Sequence, residues 1–276
     1  MPERLILTAL DGDWLDSDER VAQLKAAIAQ LEAQQVPVIV YSERDRAELE
    51  PLRAQIGLTS PFIVESGSAI FAPLAGHPFS SGQGEEEDGY FVVTLGCPYV
   101  QARAGLRVIA NEISHPLKGF GDFTVPQLQR LMGSSESAAH LAKAREFSEP
   151  FMTPKAVEGE ELIKAAVGMG FKVILRPAQE SRFSELLGAA AGLEAAVGAV
   201  ISAYRRQAEP GQSLTVNVIG TRPAELAALS EVCRRISDVD EKSVLLSSSR
   251  GSGAALQAWL DAIAPFLTHL SPGPAQ

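Results

Sequence analysis

Cysteine is scarce in this chain. Cys97 and Cys233 are the two among 276 residues, which implies no disulfide framework and points to a reducing, cytoplasmic setting. Positive charge is also short. Lys and Arg number 24 against 34 Asp and Glu, a formal net charge of −10. That balance excludes nucleic acid or an anionic membrane as the main partner, while leaving room for a local basic pocket around a phosphorylated ligand. No apolar run is long enough to cross a bilayer, and the first residues carry no signal-peptide pattern. What is present is ordinary for a globular protein, with 46% hydrophobic and 21% charged residues. The length suits one large domain or two smaller ones.

The pattern along the chain is strand, helix, strand. Arg4 to Leu10 is an apolar run too short for a helix, and it ends in Asp11-Gly12-Asp13, a tight turn bearing two carboxylates. Ser17-Asp18-Glu19 offers a helix cap and an acidic first turn, with Val21, Leu24, Ile28 and Leu31 at helical spacing. Val36 to Tyr41 is a second strand ending at Ser42. This βαβ unit predicts a parallel sheet, whose ligands bind beyond the carboxyl ends of the strands. Asp11 and Asp13 then fall in the crevice there. Ser42, at the second strand's end, has a plain reading as the cap of the helix through Leu49 and Leu52. Gly76 to Asp88 reads as an exposed linker. Leu214 to Ile219 reads as another core strand, followed by a helix over 222–235. Ser247 to Gly253 reads as a donor-rich loop, with a closing helix from Ala254 to Phe266.

The stretch Leu10-Asp11-Gly12 resembles the first motif of the haloacid dehalogenase (HAD) phosphohydrolases, a strand followed by Asp-x-Asp-Gly-Thr. Ser42 matches the Thr or Ser of that family's second motif. Pro61-Phe62-Ile63-Val64-Glu65-Ser66-Gly67 resembles a segment of the Cof-type members, with Ser66 in place of Asn. Gly119-Phe120-Gly121-Asp122 and Arg145-Glu146-Phe147-Ser148-Glu149-Pro150 are similar to cap segments of the mannosyl-3-phosphoglycerate phosphatase family. The resemblance implies an α/β protein: a Rossmann-like core with a parallel sheet and an inserted α+β cap. It places the core at 1–82 and 184–270 and the cap at 83–183, while the Pro/Gly composition of 271–276 reads as a disordered tail.

The same resemblance assigns roles and exposes gaps. Asp11 takes the general acid's place, but the nucleophile's place holds Ala9. The position of the phosphate-neutralising lysine holds Ala191. In the acidic metal motif, Thr221 replaces the first Asp, Ala224 the Asn and Glu225 the second Asp. Phosphoryl transfer to an aspartate needs a carboxylate nucleophile and opposing positive charge. Ala9 supplies no such nucleophile. The leading expectation is therefore a phosphatase-like protein without phosphatase activity that binds a phosphorylated sugar or a protein partner. Ser42, Arg46, Arg145 and Glu146 are the candidate ligand-binding residues, and Asp11 and Glu225 the candidate metal ligands. A second expectation is a Mg2+-dependent sugar-phosphate phosphatase in a register shifted by two, with Asp11 and Asp13 as the catalytic pair. A third is a scaffolding protein with no small ligand. Arg44, Arg46 or Arg222 could take over the lysine's charge. Such an arginine must point into the cleft beside Asp11.

Overall fold

Alternation along one strand sets the layers. In β1 (Arg4–Ala9), Leu5 and Leu7 face one side of the sheet and Ile6 the other, and all three are fully buried. The computed structural model describes residues 2–9, 17–177, 181–209, 211–246 and 254–267. Around β1 lie β2 (Val38–Tyr41), β3 (Phe62–Val64), β4 (Ala69–Pro73), β5 (Glu85–Glu87) and β6 (Tyr90–Thr94). Strands β7 (Ser148–Met152), β8 (Phe171–Ile174), β9 (Phe183–Gly188), β10 (Leu214–Gly220) and β11 (Val239–Leu245) complete the set. The large sheet has the order β11-β10-β1-β2-β3-β4-β6-β5. Its β11, β10, β1, β2 and β3 run parallel, and β4 to β6 add an antiparallel edge.

Helices α1 (Asp18–Ala33), α2 (Arg46–Ile56) and α9 (Ala254–Leu267) accompany the Ile6 face. Helices α7 (Leu193–Gln207) and α8 (Pro223–Arg234) cover the Leu5 face through Val197, Val200, Ile201 and Leu229. Ser17 caps α1 by accepting from Arg20 N at 3.4 Å, above an acidic first turn. Trp259 of α9 is buried and donates its indole N–H to Thr8 Oγ1 at 3.0 Å, tying the last helix to the first strand.

The small sheet, β7-β9-β8, is antiparallel. It packs with α3 (Tyr99–Glu112) and α6 (Gly159–Gly168) around Leu106, Ile109, Phe151, Leu162 and Leu186. Helices α4 (Val125–Met132) and α5 (Glu136–Leu141) close a satellite core on Phe120 and Leu128. This α+β layer is the inserted cap.

Pairing corrects the expected boundaries of 83 and 183. Strands β5 and β6 hydrogen-bond in the large sheet, and β9 in the small one. The crossings therefore fall after Thr94 and after Gly188. The linker expected over 76–88 contains β5 and a 3-10 turn at Ser81–Gln83. Three acidic residues with no apolar neighbour gave no strand signal, and pairing with β6 overrides composition. Asp11, Asp13, the 247–253 loop and the 271–276 tail lie outside the described residues. No described helix is long and apolar enough to cross a membrane.

Candidate ligand site in a capped α/β cleft

The parallel strands β10, β1 and β2 end side by side. Their register, Thr8 against Ile219 and Ala9 against Tyr41, brings Ala9, Ser42 and Thr221 to one crevice. A cavity of about 430 Å³ opens there. Tyr41, Ser42, Thr221, Arg222, Ala224 and Glu225 line its core side, and Lys172, Ile174 and Arg176 its cap side. The three cap residues alternate along β8 and just past its end, so one face of an extended segment looks into the cleft. Leu193 and Glu194, the first residues of α7, form another wall.

The charges in this cleft are largely paired. Arg176 meets the Glu43 carboxylate at 2.5 Å, and Arg222 meets Glu43 at 3.3 Å and Glu225 at 3.6 Å. Burial would raise the Glu43 carboxyl, but Arg176 and Arg222 outweigh it and hold the group below its ordinary value. Glu225 ends above its ordinary value, because burial outweighs Arg222 and the Tyr41 hydroxyl. Lys172 donates from Nζ to the Ala191 carbonyl at 3.3 Å.

A second, more open cavity of about 630 Å³ adjoins the first and shares Glu43, Arg44 and Arg176 with it. Arg130, Arg145 and Arg182 add to its lining.

Ser42 and Glu225 thus reach the cleft. The alternative reading of Ser42 as a helix cap is corrected. Asp45 caps α2, accepting from Glu48 N at 2.9 Å, and Ser42 Oγ accepts from Arg44 N at 3.0 Å. Arg46 and Glu146 line neither cavity. They bond each other at 2.9 and 3.2 Å across the core–cap boundary, and Arg46 also pairs with Asp88 and lies over the Phe71 ring. Arg145 touches the second cavity, but its guanidinium is buried in an ion cluster. It meets Glu185 at 3.1 Å and the Glu43 carbonyl at 2.7 Å, with Asp45 at 3.8 Å. Among the expected charge substitutes, Arg44 and Arg222 line the cleft and Arg46 does not. Sequence reasoning missed Lys172, Arg176 and Glu43. The i, i+2, i+4 spacing of Lys172, Ile174 and Arg176 was the available signal.

HAD phosphatases generally use Mg2+. The described residues here do not fit that ion. The two central strand-end positions are Ala9 and Thr221, and of the three described cleft carboxylates Glu43 and Glu225 are already held by arginines, which leaves Glu194 alone. No three acidic, His or Cys side chains gather into a metal site among the described residues.

A parallel α/β core that carries an α+β cap over its strand ends is the architecture of the HAD superfamily. Two solved structures share this fold: a phosphatase of that superfamily from Bacteroides thetaiotaomicron (TM-score 0.56, 11% identity, 95% of each chain) and a haloacid dehalogenase-like hydrolase from B. subtilis (TM-score 0.51, 12% identity, 96% of this chain and 99% of that one). In sequence, the chain resembles the mannosyl-3-phosphoglycerate phosphatases. It is 32% identical over 187 residues to a glucosyl-3-phosphoglycerate/mannosyl-3-phosphoglycerate phosphatase of Persephonella marina, covering 67% of this chain and 66% of that relative. It is 32% identical over 151 residues to a mannosyl-3-phosphoglycerate phosphatase of Pyrococcus horikoshii, covering 55% and 60%. The chain thus spans somewhat under two thirds of the length of these curated relatives. No protein-family model matches the chain.

Proposed function

We propose that this protein binds a phosphorylated sugar in the cleft between core and cap, and that it does not carry out phosphoryl transfer at the end of β1. The observation that carries the reading is Ala9. It ends the central strand inside the cleft, where a methyl group can accept no phosphoryl group. Among the described residues, the cations Lys172, Arg44, Arg176 and Arg222 outnumber the carboxylates Glu43, Glu194 and Glu225 in this lining, in a chain of net charge −10. A local excess of cation inside an acidic protein favours an anionic ligand. The adjoining cavity, with Arg130 and Arg182, suits a second negative group on the same molecule. The relatives' names supply the chemistry to try first, a sugar joined to 3-phosphoglycerate.

A second reading is a Mg2+-dependent sugar-phosphate phosphatase built on Asp11 and Asp13. It is favoured by the relatives, which are phosphatases. One experiment separates the two. The protein is titrated with mannosyl-3-phosphoglycerate by calorimetry, and phosphate release is followed with and without Mg2+. Binding without turnover is expected. Mg2+-dependent turnover that disappears in an Asp11→Asn, Asp13→Asn double variant refutes the non-catalytic reading. Neither binding nor turnover in folded protein refutes both and leaves a protein partner as the cleft's or surface's business.

A further inference from the structure

Lys172 differs from two of the three arginines that line the cleft, Arg176 and Arg222. Arg176 and Arg222 are each held by carboxylates at 2.5 to 3.6 Å. Lys172 Nζ instead donates to a backbone carbonyl, that of Ala191, and makes no ion pair among the described residues. An ammonium has three protons to donate, and one carbonyl uses one of them.

Its position is built by the backbone beneath it. Gly192 is the N-cap of α7, with φ +151° and no side-chain cap. A Cβ at Gly192 would stand 2.6 Å from Lys172 Nζ, so the missing side chain makes room for the ammonium. The Glu194 carboxylate flanks the same spot, 3.5 Å from that point. The first turn of α7 faces the cleft through Leu193 and Glu194. Its leading N–H groups have no side-chain acceptor, and they carry the positive end of a fifteen-residue helix. The turn is fixed from behind. Gly67 packs so tightly on it that a Cβ there would lie 2.3 Å from the Gly192 carbonyl carbon.

We infer that Lys172, carried by the cap strand β8, is a phosphate-binding cation of the cleft, acting with the α7 N-terminus beside the Ala191 carbonyl. This rests on the ligand-binding reading above. It adds that part of the positive charge comes from the cap, through Lys172.

Calorimetric titrations of the full chain with mannosyl-3-phosphoglycerate and with inorganic phosphate test it. Lys172→Gln keeps a donor for the Ala191 carbonyl and removes the charge. It should weaken both ligands by about tenfold or more, as expected for loss of a charge-assisted bond, with the melting temperature unchanged. Lys172→Arg keeps a cation on the same strand and should hold the affinity within about threefold of the parent. Binding by Lys172→Gln that stays within about twofold of the parent overturns the inference. So does a Lys172→Arg variant that binds as weakly as Lys172→Gln, which would make Lys172 a cap-seating residue whose charge is not what binds. A parent protein that binds neither probe removes the ligand-binding reading itself.

Discussion

Replacing Arg145 with leucine should cost more stability than any surface change in this protein. The Arg145 side chain is 8% exposed, and its partners Glu185 and Asp45 are 5% and 0% exposed. Glu65 is buried beside them and accepts from Ser148 Oγ, Glu146 N and Phe147 N. Burial alone would depress the guanidinium's proton affinity, yet Glu185, Glu65, Asp45 and Glu48 together raise it. The 3.1 Å contact with Glu185 is worth about 5 kcal/mol of attraction at an effective dielectric near 20. Much of that offsets desolvation. The net loss on deleting one partner of such a cluster is about 3–5 kcal/mol, because the remaining carboxylates are left buried and unpaired.

The pH dependence follows from the same geometry. Asp45 and Glu65 already lie above their ordinary values because they are buried. Without Arg145 they rise further, so the folded variant binds more protons than the unfolded chain. Its stability then falls as pH rises. Urea unfolding of Arg145→Leu, followed by circular dichroism, should show its largest deficit above neutrality and a smaller one toward pH ~5. A deficit below about 1 kcal/mol that does not vary with pH would refute the reasoning, since surface ion pairs behave that way.

Two further perturbations follow from local geometry. Burial pushes the Glu65 carboxyl up from 4.5 to about 7. The parent protein should therefore lose stability as pH rises through that window, and Glu65→Gln should flatten the slope by on the order of 3 kcal/mol. An unchanged slope in denaturant titrations would mean another group sets it. Gly67 and Gly57 both have positive φ, +88° and +77°, but a Cβ at Gly67 would strike the Gly192 backbone, whereas one at Gly57 meets nothing within 4 Å. Gly57→Ala should cost about 1 kcal/mol and Gly67→Ala about 2 kcal/mol or more. Equal melting temperatures for the two variants would show that the backbone contact between Gly67 and α7 is not tight.

The layers were legible because they rest on period and punctuation. Leu5-Ile6-Leu7 and Val38-Ile39-Val40 are continuous apolar runs because a parallel strand is covered on both faces. Ala9, Ser42, Thr221 and Glu225 were picked out by the family motifs at three strand ends, and all four line one crevice. The cap motifs were visible, but their work was not. Glu149 accepts from Gly121 N at 3.0 Å and Arg103 holds Asp122 at 2.7 Å, so the Gly119–Asp122 turn and the Glu149-Pro150 pair serve the cap's own folding. Arg46, Arg145 and Glu146 looked like ligand residues because charge near a motif gives no hint of its partner. Those partners lie 100 residues away for Arg46 and 40 for Arg145. The edge strand β5 was missed because pairing with β6, rather than its own composition, makes it a strand.

The buried cluster and the cleft are parts of one mechanical argument. A cluster of this kind adds less stability than apolar packing of equal volume would, so its value lies in the geometry it enforces. Ile174 pairs with Glu185 in the small sheet, and Lys172 with Leu187. Glu185 is in turn held from the core, by Ser66 Oγ at 2.5 Å, and through Arg145 by the Glu43 carbonyl. Fixing Glu185 therefore fixes the height of β8 above α7, and with it the reach of Lys172 to Ala191. Arg145→Leu should then weaken phosphate binding although Arg145 does not line the first cavity. The two variants part company on stability: Lys172→Gln lowers affinity alone, and Arg145→Leu lowers both. If Arg145→Leu, in protein still folded, binds inorganic phosphate as tightly as the parent, the cap does not need this cluster to seat its lysine.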